Sequence, residues 1–443
     1  MEALLVITYT ALFSFIINKM IFFDVDGISK KMITSIFLLK ILFGLVLWGI
    51  YTFYYTDRAT ADIYKYFDDS KIIFDTLKTK PLHFFQLVFG IGNGAPEFDH
   101  YYSSMNYWAR QIDSNIYNDS HTIIRFNALV RLFSFGYYNV HTVFICFLSL
   151  VGLTAIYKTV VNYLQDKKRE LLFVVFFLPS VLFWGSGVLK EGLIFFALGM
   201  LMYHSQKLFS IKSIVYCLGA TLLLALSKFY VWIAILPGLI CIVWILKTNA
   251  SRVFLKFSIV LILTIAVGLN IDKFTSIQNP LVTLSQKQYE FNQLASGKLS
   301  DSNKKTITPA ISAIEINKLE PTIGSFIKNA PQALLNTTFR PYLWELKSPM
   351  MLLAGLENVW VVMFILLAIV FRKPVTSISL AFVLFCLSFV IIQFLIIGET
   401  TPILGAVVRY RTIALLFLFI ALLFIIDKDK LLKRIPFLNK VLN

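Results

Sequence analysis

Apolar runs separated by short polar joints recur along this chain and restrict what it can fold into. Several runs approach or exceed the length of about 20 residues that a helix needs to cross a bilayer. In hydrocarbon every backbone polar group must be satisfied within the segment, so such runs form helices. The sequence therefore predicts an all-α integral membrane protein with about 11 transmembrane helices. The predicted spans are Ala3–Phe22, Met32–Tyr54, Tyr138–Tyr157, Leu171–Trp184, Glu191–His204, Ser213–Ser227, Phe229–Ile245, Val253–Ile271, Met350–Phe371, Ile378–Ile397 and Ile413–Ile426.

The composition agrees with this class and excludes several others. Hydrophobic residues make up 58% of the 443 positions and charged residues 15%, a balance that no soluble core of this size would need. Neither a Walker loop nor a GxGxxG motif is present, so nothing favours ATP-driven transport or dinucleotide chemistry. The four cysteines and five histidines lack metal-ligand spacing. We therefore predict no cofactor and no metal site, and nothing in the sequence supports a divalent cation.

Lysine and arginine in the short joints predict the orientation in the membrane. They cluster at residues 30–31, 167–169, 247–256, 372–373 and 428–440, and the positive-inside rule makes these joints cytoplasmic. We expect one polytopic domain over 1–443 in the plasma (inner) membrane, with a cytoplasmic carboxyl terminus. The long loops 55–137 and 272–349 then lie on the extracytoplasmic side. The net charge of +16 is assigned to topology and anionic lipid, and not to nucleic acid.

Charged residues interrupt the apolar runs at three further places. Lys190 and Glu191 lie inside the stretch from Leu171 to Tyr203. Lys228 separates two runs, and Arg409 and Arg411 precede the last run. An ionisable group in hydrocarbon costs roughly 2.5–3.5 kcal/mol, so it marks a candidate functional site. The predicted topology places these turns on the extracytoplasmic face, where they would bind an anionic group. Helix-end snorkelling is the alternative interpretation.

The first long loop predicts an amphipathic helix over residues 60–77 at the membrane surface. Asp62, Tyr66 and Asp69 fall on one face of that helix, and Asp57 lies just before it. Acidic residues on loop helices are also common simply because they are solvated. The predicted topology nevertheless places these acidic residues on the same extracytoplasmic side of the membrane as the cations.

The second long loop is too short for an independent enzyme domain, so we expect a small helical cap. It ends in Thr337-Thr-Phe-Arg340-Pro-Tyr-Leu-Trp344-Glu345, immediately before a predicted span. Arg, Tyr and Trp at this position also suit an interfacial belt. The sequence therefore leaves two roles open for Arg340 and Glu345: membership of a functional site, or anchoring at the membrane boundary.

Four stretches of the chain resemble the GT-C superfamily of polytopic membrane glycosyltransferases, in particular bacterial members that assemble cell-surface polysaccharides. They are the carboxylate-bearing segment Ala61-Asp62-Ile-Tyr64, the Pro179–Glu191 turn Pro-Ser-x-x-x-Trp-x-Ser-Gly-x-x-Lys-Glu, the turn Lys228-Phe229-Tyr230 and the Thr-Pro…Arg-Tyr-Arg turn over Thr401–Arg411. Two features depart from the family: the acidic loop follows the second span instead of the first, and no Asp-x-Asp doublet begins it.

The resemblance implies transfer of a sugar from a polyprenyl-phosphate carrier to a glycan or lipid-glycan acceptor on the extracytoplasmic side. Such a reaction needs a carboxylate base for the acceptor hydroxyl and cations for the leaving phosphate. We predict Asp62 as the base, with Asp57 or Asp69 as alternatives, and Tyr66 as an orienting group. The predicted binding residues for the lipid phosphate and substrate are Lys190, Glu191, Lys228, Tyr230, Arg340, Arg409 and Arg411.

Two other functions remain open from the sequence. An O-antigen or capsular repeat-unit polymerase would use Arg340, Arg409 and Arg411 but has less need of the acidic helix. A flippase or transporter for lipid-linked glycans would use the same cations without a base. The sequence shows no inverted repeat of the kind common among transporters.

Overall fold

A computed structural model describes residues 1–58, 60–109, 117–207, 210–297, 309–346 and 348–436. These residues are predominantly helical and contain no β-strand. The helices, in chain order, are α1 (Glu2–Lys19), α2 (Lys30–Gly49), α3 (Asp62–Thr79), α4 (Pro81–Phe89), α5 (Asp99–Ser103), α6 (Ser120–Ser134), α7 (Tyr138–Val160), α8 (Lys168–Phe177), α9 (Pro179–Trp184), α10 (Lys190–Ser205), α11 (Ile211–Ser227), α12 (Phe229–Lys247), α13 (Val253–Leu269), α14 (Pro280–Ala295), α15 (Ile323–Phe339), α16 (Pro349–Val370), α17 (Ser377–Thr400), α18 (Leu404–Ile425) and α19 (Lys428–Arg434).

Seven helices in the described part of the chain are long and apolar enough to cross a membrane. They are α1, α2 with its π-helical extension to Tyr54, α7, α12, α16, α17 and α18. The all-helical membrane class is thus confirmed, whereas the count of 11 stays a prediction. Three further predicted spans correspond to α10, α11 and α13, which have 16, 17 and 17 residues. A 17-residue helix extends about 25 Å, slightly less than the hydrocarbon core of about 30 Å.

The predicted span Leu171–Trp184 is wrong as a single helix, because the structure divides it into α8 and α9. Leu178 between them has φ −58° and ψ 128°, outside the helical region. The proline ring of Pro179 disfavours helical backbone at the preceding residue, and Pro179 itself begins α9. α9 then ends at Trp184, and Lys190 begins α10. The chain is therefore broken twice within this apolar region.

The last predicted span is also corrected. The sequence placed Arg409 and Arg411 in a turn before a helix at Ile413, but α18 already begins at Leu404. Nothing between Leu404 and Ile413 breaks a helix, and Pro402 lies just outside its start. Both arginines are consequently buried within α18, one of the candidate membrane spans.

The chain forms two compact units, and the expectation of one polytopic membrane domain stays a prediction. Unit 1 comprises Met1–Gln111, Ile116–Thr159 and Val181–Phe229, and unit 2 consists chiefly of Val160–Ser180 and Tyr230–Asn443. In unit 1, α10 packs against α11, and α3 packs against α4 and α6. In unit 2, α17 packs against α15 and α18.

The loop helices occur where the sequence predicted them, but they are packed more deeply. α3 (Asp62–Thr79) overlaps most of the predicted segment 60–77, and α6 follows it in the same loop, before α7. Tyr66 and Asp69, expected on an outer polar face of α3, are buried. In the second loop α15 packs along α17, so the predicted cap contributes to the core of unit 2.

Close contact between α7 and α10 depends on two small residues in unit 1. A Cβ added to Gly199 would lie 2.0 Å from the Gly152 carbonyl oxygen, and one added to Gly152 would lie 2.1 Å from the Phe195 carbonyl oxygen. Small residues allow the backbones of membrane helices to approach in this way.

We expect Gly199→Ala to destabilise the protein by roughly 1–3 kcal/mol, because an extra methyl group cannot fit against backbone. Gly219→Ala in α11 is the matched control, since nothing lies within 4 Å of its added Cβ. Thermal unfolding in detergent compares the two variants. The packing argument fails if Gly199→Ala unfolds at the same temperature as the control.

Candidate functional site

The break between α9 and α10 in unit 1 positions Lys190 and Glu191. The Lys40 ammonium group, fully buried in α2, donates a hydrogen bond of 3.1 Å to the Gly185 carbonyl oxygen. The Cys146 Sγ lies 3.4 Å from the Ser186 carbonyl oxygen, and a Cβ at Gly44 would lie 2.6 Å from that same oxygen. The break is therefore held tightly by α2 and α7. Sequence reasoning missed Lys40, although it is a lone cation in the middle of an apolar run.

Both cations that the sequence predicted in unit 1 are paired with carboxylates. The Lys190 Nζ lies 2.9 Å from Asp119 Oδ1, and the Lys228 Nζ lies 3.8 Å from Glu191 Oε1. Lys190, Glu191 and Lys228 are all buried, whereas Asp119 is half-buried at the start of α6. Lys190 and Glu191, the first two residues of α10, thus each belong to an ion pair. Sequence reasoning missed Asp119, since the loop before α6 is rich in polar residues and gives no signal that one of them would meet Lys190.

Two tyrosines connect Lys190 to the acidic residue at the start of α3. The Lys190 ammonium nitrogen lies 5.4 Å from the centroid of the Tyr66 ring, within cation–π range. The Tyr66 ring meets that of Tyr107 edge to face, with centroids 5.5 Å apart. The Tyr107 hydroxyl donates to Asp62 Oδ1 at 2.9 Å. The structure therefore places Asp62, Tyr66 and Lys190 in one continuous group, together with Tyr107 and Asp119, which we call the acidic–aromatic cluster.

Asp69, one of the other two predicted bases, has both of its carboxylate oxygens hydrogen-bonded to backbone N–H groups. Its Oδ1 accepts from the Asn106 backbone N–H at 2.8 Å, and its Oδ2 accepts from the Tyr107 N–H at 2.7 Å. Burial raises the pKa of Asp69, and these two N–H groups offset part of the shift. Asp69 therefore anchors the segment that carries Tyr107. Asp57 is exposed and precedes α3.

Side chains in α6 and just before it fix the segments that surround the cluster. Asn118 Nδ2 donates at 3.0 Å to the carbonyl oxygens of both Tyr107 and Trp108. The Thr122 hydroxyl donates to the Leu226 carbonyl oxygen at 2.8 Å, close to the turn that contains Lys228. Arg131 is buried and donates to Ser70 Oγ at 2.7 Å. Burial lowers the pKa of Arg131 to about 10.

In unit 2, Arg411 is committed to the protein backbone. One guanidinium nitrogen donates to the carbonyl oxygens of Thr337 at 2.7 Å and Arg340 at 2.8 Å, and the other donates to Asn358 Oδ1. These carbonyls end α15, where a cation also meets the negative end of the helix dipole. Arg411 thus caps the end of α15, while its phosphate-binding role stays a prediction.

The other predicted site residues of unit 2 are Arg340, Arg409 and Tyr230. Arg340 forms a bidentate pair with Glu345, with Nε 3.0 Å from Oε1 and 3.1 Å from Oε2, and the Tyr342 N–H donates to the same carboxylate at 2.9 Å. Arg409 is buried in α18. The backbone oxygen of Tyr230 accepts a hydrogen bond from Gln393 at 3.0 Å.

Unit 2 also contains an apolar groove of about 670 Å³ along one face of α16. The α16 residues of its lining share a helical spacing of three and four, and residues between Phe339 and Trp344 complete the lining. They are Phe339, Pro341, Tyr342, Leu343, Trp344, Gly355, Asn358, Val359, Val362, Met363, Leu366, Leu367, Val370 and Phe371. Because α16 is a candidate membrane span, this groove suits a hydrocarbon chain.

Comparisons of the chain with protein-family models, with curated protein sequences and with solved structures found no match. The resemblance to GT-C enzymes therefore stays a prediction from short motifs. Within the described residues, no group of three or more His, Cys, Asp or Glu side chains is arranged to hold a metal ion.

We expect Asp69→Asn to destabilise the protein by about 1–3 kcal/mol, because an amide accepts through one oxygen and leaves a buried N–H unsatisfied. Asp75→Asn on the same helix is the control. Asp75 is 44% exposed and paired only across one turn with Lys71, so its loss should be nearly silent. Thermal unfolding of the two purified variants checks this; equal stability would remove the structural role of Asp69.

Proposed function

We propose that this protein is a membrane glycosyltransferase that moves a sugar from a polyprenyl-phosphate donor to a glycan or lipid-glycan acceptor outside the cytoplasm. The observation that supports it most is the acidic–aromatic cluster, in which a carboxylate and a buried cation are separated by two aromatic rings. This separation suits a reaction that removes a proton at one end and releases an anion at the other.

Asp62 is the base in this proposal. It is half-buried and accepts from the Tyr107 hydroxyl, which orients one carboxylate oxygen. The other candidates fit less well, since Asp69 is occupied by backbone N–H groups and Asp57 is exposed. Asp62 takes the proton of the acceptor hydroxyl as the hydroxyl oxygen bonds to the anomeric carbon. The bond between that carbon and the phosphate oxygen breaks, and its electron pair remains on the phosphate.

Lys190 binds the phosphate that leaves. Its ammonium group is almost enclosed, so its attraction for an anion is screened less than at an exposed surface. Lys228 has a different role from Lys190, because its partner Glu191 is fully buried and follows Lys190 directly in the chain. We assign Lys228 to neutralising Glu191, which holds the first turn of α10 in place.

The groove on α16 supports a lipid-linked substrate independently of the cluster. It lies along a membrane-spanning helix, and its lining is almost wholly apolar. An isoprenoid chain in such a groove exchanges bilayer contacts for protein contacts and needs no polar partner.

A repeat-unit polymerase has less support than the transferase. The arginines that favoured it from sequence include Arg411, which binds helix-end carbonyls, and Arg340, which binds Glu345. No observation specifically favours a flippase, which has no use for an oriented carboxylate.

We expect Asp62→Asn to lower the rate of sugar transfer by about 10²–10⁴-fold, the usual effect of losing a positioned base. The assay uses purified protein, a polyprenyl-phosphate sugar and isolated envelope glycan as acceptor. Asp68→Asn is the matched control from the same helix, because Asp68 pairs with Arg58 and is half-exposed. Wild-type turnover in Asp62→Asn would exclude Asp62 as the base.

The lipid-linked donor is tested by filling the groove. Val362→Trp introduces a bulky ring into the lining, while Ile369→Trp places the same ring on the lipid-exposed surface of the same helix. We expect Val362→Trp alone to raise the KM for a long-chain polyprenyl donor, by roughly three- to tenfold. Equal KM values for the two variants would show that the groove does not hold the donor chain.

A further inference from the structure

The two ion pairs of unit 1 differ in how accessible they are. The side chains of Lys228 and Glu191 are 4% and 1% exposed, so both members of that pair are almost fully enclosed. The side chain of Lys190 is 8% exposed, but that of its partner Asp119 is 26% exposed. Asp119 is thus the carboxylate of these two pairs that can be displaced toward solvent.

The backbone position of Asp119 also permits such a movement. Asp119 is the residue before the first turn of α6, yet its side chain makes no capping hydrogen bond to that helix. The neighbouring Asn118 fixes the backbone here through its contacts with Tyr107 and Trp108. Rotation of the Asp119 side chain would therefore break no capping hydrogen bond of α6.

We propose that Asp119 is an internal counter-ion that competes with substrate phosphate for Lys190, and so sets phosphate affinity and speeds release of the product. This inference rests on the proposed transferase function. When the phosphate binds, it takes the place of Asp119 at the ammonium group. When it leaves, Asp119 returns. Lys190 is paired in both states, which avoids the cost of a buried cation without a partner.

The charges of the two lipids explain why such a competitor is useful. A polyprenyl phosphodiester donor carries one negative charge, whereas the polyprenyl phosphate left after transfer is a monoester with a charge of about −1.5 to −2. Lys190 therefore attracts the product more strongly than the donor. A carboxylate held within reach of Lys190 weakens the binding of both lipids by the same factor. Because the product is bound more tightly than the donor, its release limits turnover, and the weaker binding speeds that step.

Binding of undecaprenyl phosphate to the full-length protein in nanodiscs tests the exchange directly. We expect Asp119→Asn to bind it roughly fivefold more tightly than wild type, the size of effect of a partly exposed ion pair. Lys190→Gln should bind it more weakly, and the double variant should show no gain over Lys190→Gln. Asp68→Asn is the charge-matched control and should bind as wild type does.

Turnover provides a second readout that a purely structural role would not produce. In Asp119→Asn the KM for donor should fall and inhibition by added undecaprenyl phosphate should strengthen, while kcat falls. Unchanged or weaker binding by a folded Asp119→Asn protein overturns the proposal. Loss of folding in both Asp119→Asn and Asp119→Ser would also overturn it, by making Asp119 structural.

The two proposals fail in different ways. If Asp119→Asn tightens lipid binding but wild type transfers no sugar, the counter-ion exchange stands and the transferase function fails. If wild type transfers sugar but Asp119→Asn leaves binding unchanged, the exchange alone fails.

Discussion

A cation buried away from water needs a partner, and this requirement determines how both units are built. Removing one partner of a fully enclosed pair, such as Lys228 and Glu191, costs roughly 3–5 kcal/mol, because the remaining charge is uncompensated. The cost is smaller for Lys190 and Asp119, since Asp119 is partly exposed. In unit 1, Lys190 and Lys228 are matched by Asp119 and Glu191, on either side of the start of α10. The broken backbone before α10 is possible for the same reason, since Lys40 satisfies the Gly185 carbonyl oxygen inside the apolar region. The positions of the cations and of the chain break therefore depend on each other.

Much of the helical pattern could be predicted because it rests on local properties of the chain. Apolar runs long enough to cross a bilayer predicted α2, α7, α16 and α17, with bounds close to those of the observed helices. The amphipathic period of the segment 60–77 gave α3. The errors arose where a boundary depends on a single residue. The effect of Pro179 on Leu178 divides one predicted span, and the lack of a breaker after Leu404 extends another.

The candidate site was predictable only in part, because its contacts join distant segments. Asp62, Tyr66 and Lys190 were marked by their unusual places in apolar or amphipathic stretches. Tyr107 and Asp119 lie in a polar loop where such residues are ordinary, and they gain importance from the fold alone. The deeper burial of Tyr66 and Asp69 has the same origin: α6 covers the face of α3 that a solitary surface helix would expose to solvent.

The kind of partner separates cations that support the fold from cations able to bind a ligand. Lys40 and Arg411 donate to backbone carbonyls at a chain break or helix end, as does Lys167 to the carbonyl oxygens of Leu423 and Ile426. A carbonyl in a packed helix cannot move away, so a phosphate cannot replace it without unwinding the chain. A half-exposed carboxylate can move by rotating its side chain. Sequence placed Lys190 and Arg411 in one group because both are cations near apolar runs. In the folded protein, Lys190 has a partly exposed carboxylate partner, which the proposed exchange requires, whereas the carbonyl partners of Arg411 belong to the framework.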